Sequence, residues 1–205
     1  MKLLILGAAG RTGTLLVDQA LAAGHTVTAF VRDTDTSSHR SDVTIIVGDA
    51  RHQSDLEKAL AGQEAVISTL GSSKPGDRVI VASTRALIAA AQATKVRRVI
   101  VMSSFLVVKN FKTNPIITFA LKLMGTIVAD IVSGEELLRQ SDLEYTIVYA
   151  TRLINEPVAA KYRIVSEHDT VGSTDSISRA DVADFMLKHI DDQTLIKKSV
   201  LITKP

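Results

Sequence analysis

Three glycines spaced three apart, Gly7, Gly10 and Gly13, follow directly on the apolar run Leu3-Leu4-Ile5-Leu6. Apolar residues at helical spacing, Leu15, Leu16, Ala20 and Ala23, come next. Such a strand, turn and helix can hold an anion with its backbone alone. Gly7 is expected to make the sharp turn, Gly10 to let a pyrophosphate approach without a Cβ in its way, and Gly13 to let the helix pack closely. Ala9, Arg11 and Thr12 complete the cradle. Free N–H groups and the positive end of the helix dipole would face the phosphates. Glycine triplets also occur in ordinary loops, so a turn with no ligand is the competing reading. The context favours a dinucleotide, because a strand precedes the motif, a helix follows it, and a second strand runs from Thr26 to Val31.

In a doubly wound sheet the ligand lies beyond the carboxyl ends of the strands, so the residues that follow each strand are the next candidates. Arg32 and Asp33 stand at the tip of the second strand. An acid there accepts hydrogen bonds from the ribose hydroxyls of NAD, and an arginine pairs with the 2′-phosphate of NADP. Arg32, with Arg11 and Arg40 in support, makes NADP(H) the preferred coenzyme; Asp33 keeps NAD(H) open, and Arg32 as a solvated strand end is the plain alternative. Asp49 and Ala50 after the third strand are placed near the adenine, although Asp49 could instead cap the turn towards Ser54. Thr69, Leu70 and Gly71 after the fourth strand would let backbone run close to the ribose and nicotinamide. Ser103 and Ser104 end the fifth, where a hydroxyl could position a substrate carbonyl or a water. Ser103, and Thr151 after the sixth strand, are assigned to the coenzyme.

The elements that must position these residues alternate. Strands are expected at Lys2 to Leu6, Thr26 to Val31, Val43 to Val47, Ala65 to Thr69, Arg98 to Met102, Tyr145 to Tyr149 and Val200 to Ile202. Helices are expected at Thr12 to Ala23, Ser54 to Leu60, Val79 to Thr94, Gly134 to Gln140 and Arg179 to His189. Ser54 with Glu57 reads as a capping box, and Ser178 with Asp181 resembles one. This rhythm predicts an α/β fold: one Rossmann-type domain, a doubly wound parallel sheet over residues 1–205, with substrate-side elements from about 105–133 and 150–178.

Composition narrows the function. At 205 residues the chain can bury a substantial core. A net charge of +2 and 4% aromatic residues, with no Trp, argue against nucleic acid as a partner. The absence of cysteine excludes disulfides and thiol nucleophiles and fits a cytoplasmic protein. A strand beginning at residue 2 is expected to leave no room for a leader peptide. His25, His39, His52, His168 and His189 show no paired metal spacing, so no metal is expected. The apolar stretch Pro115 to Val132 is interrupted by Lys122 and Asp130 and is not expected to span a membrane. It reads as a helix over the substrate mouth, a subunit contact or an ordinary core helix; a monomer or a homodimer is expected.

Taken together, Gly7-Ala8-Ala9-Gly10-Arg11-Thr12-Gly13, Val31-Arg32-Asp33, Val47-Gly48-Asp49, Ser103-Ser104-Phe105 and Leu143 to Val148 resemble the atypical short-chain dehydrogenase/reductases. More narrowly, the chain resembles the NAD(P)H-binding group that contains flavin reductase (biliverdin-IXβ reductase) and NmrA-like proteins. The likeness extends to Ile177-Ser178-Arg179-Ala180-Asp181-Val182-Ala183. It implies hydride transfer from NAD(P)H to a planar acceptor such as a flavin or a tetrapyrrole, where positioning of the reactants can lower the barrier by about 7–11 kcal/mol. By this resemblance Ser104 is the active-site serine. The family's histidine after the sixth strand is unmatched, and Arg152 stands near its position as the second candidate catalytic residue, able to anchor an anion but not to act as a histidine does. The tyrosine four residues before a lysine, used by members with acid–base catalysis, is also missing. That absence disfavours alcohol oxidation and sugar epimerisation. Two alternatives remain: a non-catalytic NAD(P)(H)-sensing regulator of the NmrA-like type, and a nucleotide-sugar epimerase or dehydratase.

Overall fold

Four consecutive apolar side chains in the first strand, Leu3, Leu4, Ile5 and Leu6, are all buried. A strand sends successive side chains to opposite faces, so such a run forms only where both faces of the sheet are covered. Leu3 and Ile5 enter one core with Leu16, Phe185 and Met186. Leu4 and Leu6 enter the other with Leu56, Leu60, Leu87 and Leu138.

The computed structural model describes residues 1–33, 41–72, 76–108, 125–166, 171–172 and 174–205. In chain order the elements are β1 (Lys2–Leu6), α1 (Arg11–Ala22), β2 (Thr26–Val31), β3 (Val43–Val47), α2 (Gln53–Leu60), β4 (Ala65–Ser68), α3 (Val79–Thr94), β5 (Arg98–Ser104), α4 (Gly125–Gln140), β6 (Glu144–Ala150), β7 (Arg152–Ile154), β8 (Arg163–Ile164), β9 (Ser176–Ser178), α5 (Arg179–Lys188) and β10 (Lys198–Thr203). Eight strands form one sheet in the order β3-β2-β1-β4-β5-β6-β10-β8. Its pairs are parallel except β8 with β10. β7 and β9 make a separate parallel pair. The order reverses between β1 and β4, and there the crevice of a Rossmann sheet opens. The expected α/β doubly wound architecture is therefore the observed one.

Helices α1 and α5 cover one face and are tied together by the Gln19 amide, which donates to the Ala180 carbonyl at 3.0 Å. Helices α2, α3 and α4 cover the other. Arg98, only 6% exposed, donates to the His189 and Ile190 carbonyls just past α5 at 2.9 and 2.6 Å, and to the Glu144 carbonyl and Thr146 hydroxyl of β6. A buried guanidinium is tolerated because each bond meets an otherwise open acceptor.

Several boundaries differ from expectation. β5 continues to Ser104, so Ser103 and Ser104 are the last rungs of a strand, paired with Tyr149 and Ala150. The capping box at Ser54 is absent: α2 starts at Gln53 with His52 as the cap, without a side-chain bond, and Glu57 accepts from the Gln53 amide inside the helix. At α5, the Ser178 hydroxyl does accept from the Asp181 N–H at 2.9 Å. The Asp181 carboxylate turns instead to the N–H groups of Ala159 and Ala160. Helix α4 begins at Gly125, so the later part of the apolar stretch from Pro115 is helical, while residues 115–124 lie outside the described residues. Among the described residues no helix is long and apolar enough to cross a membrane.

Candidate functional site

The glycine turn is built by close backbone approach. Gly7 has φ +77, a left-handed conformation that costs an L side chain, and the Gly10 N–H donates to the Gly7 carbonyl at 2.9 Å. A Cβ on Gly13 would lie 2.0 Å from that same carbonyl oxygen. Gly13 thus seats the first turn of α1 against the Gly7 turn itself. Thr69 fastens the loop from β4, its hydroxyl bonding to the Leu6 and Gly7 carbonyls at 3.2 Å. Gly10 is the N-cap of α1 and brings no side chain to its first N–H groups. Ala9, Gly10 and Arg11 are exposed while Thr12 and Gly13 are buried beneath them. An open, uncapped helix start of this kind suits a pyrophosphate.

Farther along the same edge, Arg32 is exposed at the end of β2. Arg40 lies outside the described residues. The Asp49 carboxylate accepts from its own neighbourhood, the Arg51 N–H at 2.9 Å and the Arg51 guanidinium at 3.0 Å. Those hydrogen bonds hold its pKa down to about 2. The local-turn alternative for Asp49 is thus present in the structure. Ala50 beside it is buried against α2.

Beside the turn, at the carboxyl ends of β4, β5 and β6, lies a cavity of about 700 Å³. Helices α3 and α4 wall one side through Ile80, Ile127, Ile131 and Leu138, and Met102, Phe105 and Leu153 complete an apolar surround. Its polar groups include Ser103, Ser104, Glu135 and Thr151, with Arg152 and Arg179 at the β7 and α5 side. The wall is held in place by α4: the Asp130 carboxylate, 4% exposed, accepts from the Ile80 and Val81 N–H groups at 3.0 and 2.9 Å and caps α3. Gly134 permits the contact, since a Cβ there would be 2.7 Å from Ile80 Cγ2.

Under the cavity lies a polar network. The Ser103 hydroxyl donates to Glu135 Oε1 at 2.6 Å, the Tyr149 phenol to Glu135 Oε2 at 2.6 Å, and Arg139 Nη2 to the same oxygen at 2.9 Å and to the phenol oxygen at 2.8 Å. Burial first, then the neighbouring carboxylate, push the Tyr149 phenol well above its ordinary pKa, so it keeps its proton. Ser104 accepts from the Leu106 N–H at 3.3 Å and caps the short 3-10 turn Phe105–Val107.

Residues 7–193 match the model of a family described as NAD(P)H-binding. The chain belongs to that family. The photosystem II assembly factor Ycf39 of Cyanophora paradoxa is 27% identical over 93% of this chain; the chain spans only 59% of that relative's length. Among solved structures, the oxidoreductase ylbE of Lactococcus lactis superposes with a TM-score of 0.86 at 22% identity, over 100% of this chain and 91% of that one. The anaerobilin reductase ChuY of Escherichia coli O157:H7 gives 0.82 at 22%, over 100% and 98%. A short-chain dehydrogenase/reductase of Veillonella parvula, solved with NADP, gives 0.80 at 25%, over 100% and 94%.

Within this family member the expected residues divide into two groups. Gly7, Ala9, Gly10, Arg11, Thr12, Gly13 and Thr69 gather at the glycine turn, with Arg32, Asp49 and Ala50 along the same edge. Leu70, Gly71, Ser103, Ser104, Thr151 and Arg152 line the cavity. Sequence reasoning missed Glu135, Tyr149 and Arg139 as site residues. The spacing of Glu135 and Arg139, four apart on a helix, was the available signal, but the partners from β5 and β6 were not legible. Arg179, in the Ile177–Ala183 stretch, lines the cavity and donates to Asn155 Oδ1 at 2.7 Å. Burial first, and then the positive charge of Arg11, lower its pKa.

Proposed function

We propose that this protein is an NAD(P)H-dependent reductase that passes a hydride to a flavin-like or other planar acceptor, with NADP(H) preferred. The observation that carries the reading is the apolar cavity of about 700 Å³ beside an uncapped helix start. The coenzyme supplies the hydride. The glycine turn and α1 would hold its pyrophosphate, Arg32 its 2′-phosphate, and Asp49, Ala50, Thr69, Leu70 and Gly71 the adenosine-to-ribose path. Ser103 and Thr151 would hold the nicotinamide end. The apolar walls would exclude water and hold a planar acceptor beside the coenzyme, and such positioning is a large source of rate gain. Ser104 is assigned to orient the acceptor, because its hydroxyl hydrogen remains available to the cavity while its oxygen caps the 3-10 turn. Arg152, with Arg179 behind it, would meet an anionic substituent at the mouth. The relation to ChuY supports the class of acceptor.

The assay is direct: mix purified protein with NADPH or NADH and follow coenzyme oxidation with FMN, FAD, riboflavin or biliverdin. Turnover with one of them is expected, faster with NADPH. A second reading, a coenzyme-sensing regulator, is favoured by one observation. The Ser103 and Tyr149 hydroxyls both give their hydrogens to Glu135, so neither has a proton free to pass to an acceptor. Tight coenzyme binding with every acceptor left unreduced would select it.

A further inference from the structure

Charge on the cavity wall is uneven. Glu135 is the one acid among the described residues that line it, and Arg139 meets that carboxylate at 2.9 Å. Arg179 lines the same cavity without such a match. Among the described residues no carboxylate pairs with it, and its guanidinium donates to two neutral oxygens, Asn155 Oδ1 at 2.7 Å and the Leu153 carbonyl at 3.4 Å. Both bonds leave from Nη1. That nitrogen has two hydrogens, one for each oxygen, and because the guanidinium is planar the two bonds fix its plane. Nε and Nη2 keep their N–H donors for another acceptor. The position does not serve the helix, since Arg179 is the first residue of α5, where the dipole opposes a cation. A half-buried cation beside apolar walls is costly until an anion joins it.

Resting on the reductase reading above, we infer that the acceptor carries an anionic tail, a phosphate or a carboxylate, and that Arg179 binds this tail with the unused edge of its guanidinium. Arg179 is then a specificity-determining residue. The apolar walls take any planar ring of suitable size, and the cation at one place on the wall admits the ring that brings a negative group with it. Arg152, exposed at β7, adds charge to the same cavity. The expected preference is for FMN over riboflavin, and for a bilin with free carboxylates over its ester. A coenzyme phosphate is the rival occupant, because Arg11 of the glycine turn is close enough to act on Arg179 electrostatically. The two occupants are separated by measuring acceptor and coenzyme independently.

The test uses pairs of acceptors that differ only in the anion. FMN and riboflavin are titrated by fluorescence quenching into protein saturated with NADP+, so that binding is read without turnover, and biliverdin is compared with its dimethyl ester in the same complex by absorbance. In at least one pair the anionic member should bind about tenfold or more tightly, as a charge-assisted contact gives, and the preference should shrink as salt is raised. Arg179→Gln should bring the members of that pair within about twofold while calorimetry finds the Kd for NADPH changed by less than about twofold. Arg179→Lys, which keeps the charge, should retain more of the preference, and thermal melts check that both variants fold. The wild-type comparison stands without either. Equal affinity within both pairs overturns the assignment. So does an Arg179→Gln variant that loses NADPH affinity and keeps the preference, which gives the residue to a coenzyme phosphate; both outcomes leave the reductase reading standing. An anionic acceptor that is bound in preference but never reduced supports this site and sinks the reductase reading alone.

Discussion

The two halves of the candidate site are built by different means. Around β1, α1 and β2 the work falls to backbone: a left-handed Gly7, an uncapped helix start, and a Gly13 with no space for a Cβ. Around β5, β6 and α4 it falls to side chains gathered from distant stretches, Ser103, Glu135, Arg139 and Tyr149. A backbone cradle binds whatever carries a pyrophosphate and tolerates few substitutions. A side-chain floor can be changed one residue at a time.

The largest effect should come from the first half. Gly13→Ala places a methyl 2.0 Å from the Gly7 carbonyl oxygen. Overpacking of this kind costs about 1–3 kcal/mol, and here the loss is concentrated in the turn. Calorimetry should find NADPH affinity reduced at least about a hundredfold, beyond what the fall in melting temperature explains. Retained affinity would remove the turn from the coenzyme site.

Arg32→Ala sharpens the contrast within that half. A charge-assisted contact is worth about 1.5–3 kcal/mol, so the Kd for NADPH should rise about tenfold or more while that for NADH moves less than about twofold. Equal effects on both would return Arg32 to solvent.

Ser104→Ala probes the second half. We expect kcat with the preferred acceptor to fall about tenfold and coenzyme affinity to stay within about twofold, as for a group that acts on the acceptor. Unchanged kcat would leave Ser104 only its cap on Leu106.

Asp49 gives the smallest effect and lies after β3, at the outer edge of the first half. Its folded pKa, held down by Arg51 to about 2, is below the unfolded value of about 3.9. Stability from that pair is therefore complete above the unfolded pKa and is lost as pH falls towards about 2. The pair is largely exposed, so solvent screening keeps the contribution small. Acid titrations of wild type and Asp49→Asn should separate above about pH 4 and converge near pH 2.

How much was legible follows the same division. The sheet strands from β1 to β6 and β10 could be read because burial on both faces demands unbroken apolar runs, and Gly7, Gly10 and Gly13 because a tight turn excludes Cβ. The short β7, β8 and β9 were missed. Each is two or three residues long and forms because a partner strand is brought to it, not because its own residues favour extension. Ser54 misled for a related reason: its capping signal was real, but the preceding turn at Asp49 and Arg51 starts α2 earlier. The sequence suggests two helices on either side of Ser133, within Pro115–Val132 and at Gly134–Gln140, where the structure has the single helix Gly125–Gln140, because a small residue packed close to α3 does not break a helix.

The sequence by itself determined the alternation of layers and the glycine turn, since each is written in neighbouring residues through periodicity and the steric limits of the backbone. Only the tertiary structure decided the floor of the cavity. Ser103, Glu135 and Tyr149 lie far apart along the chain, and the hydrogen-bond directions among them exist only once β5, β6 and α4 are packed together and water is excluded.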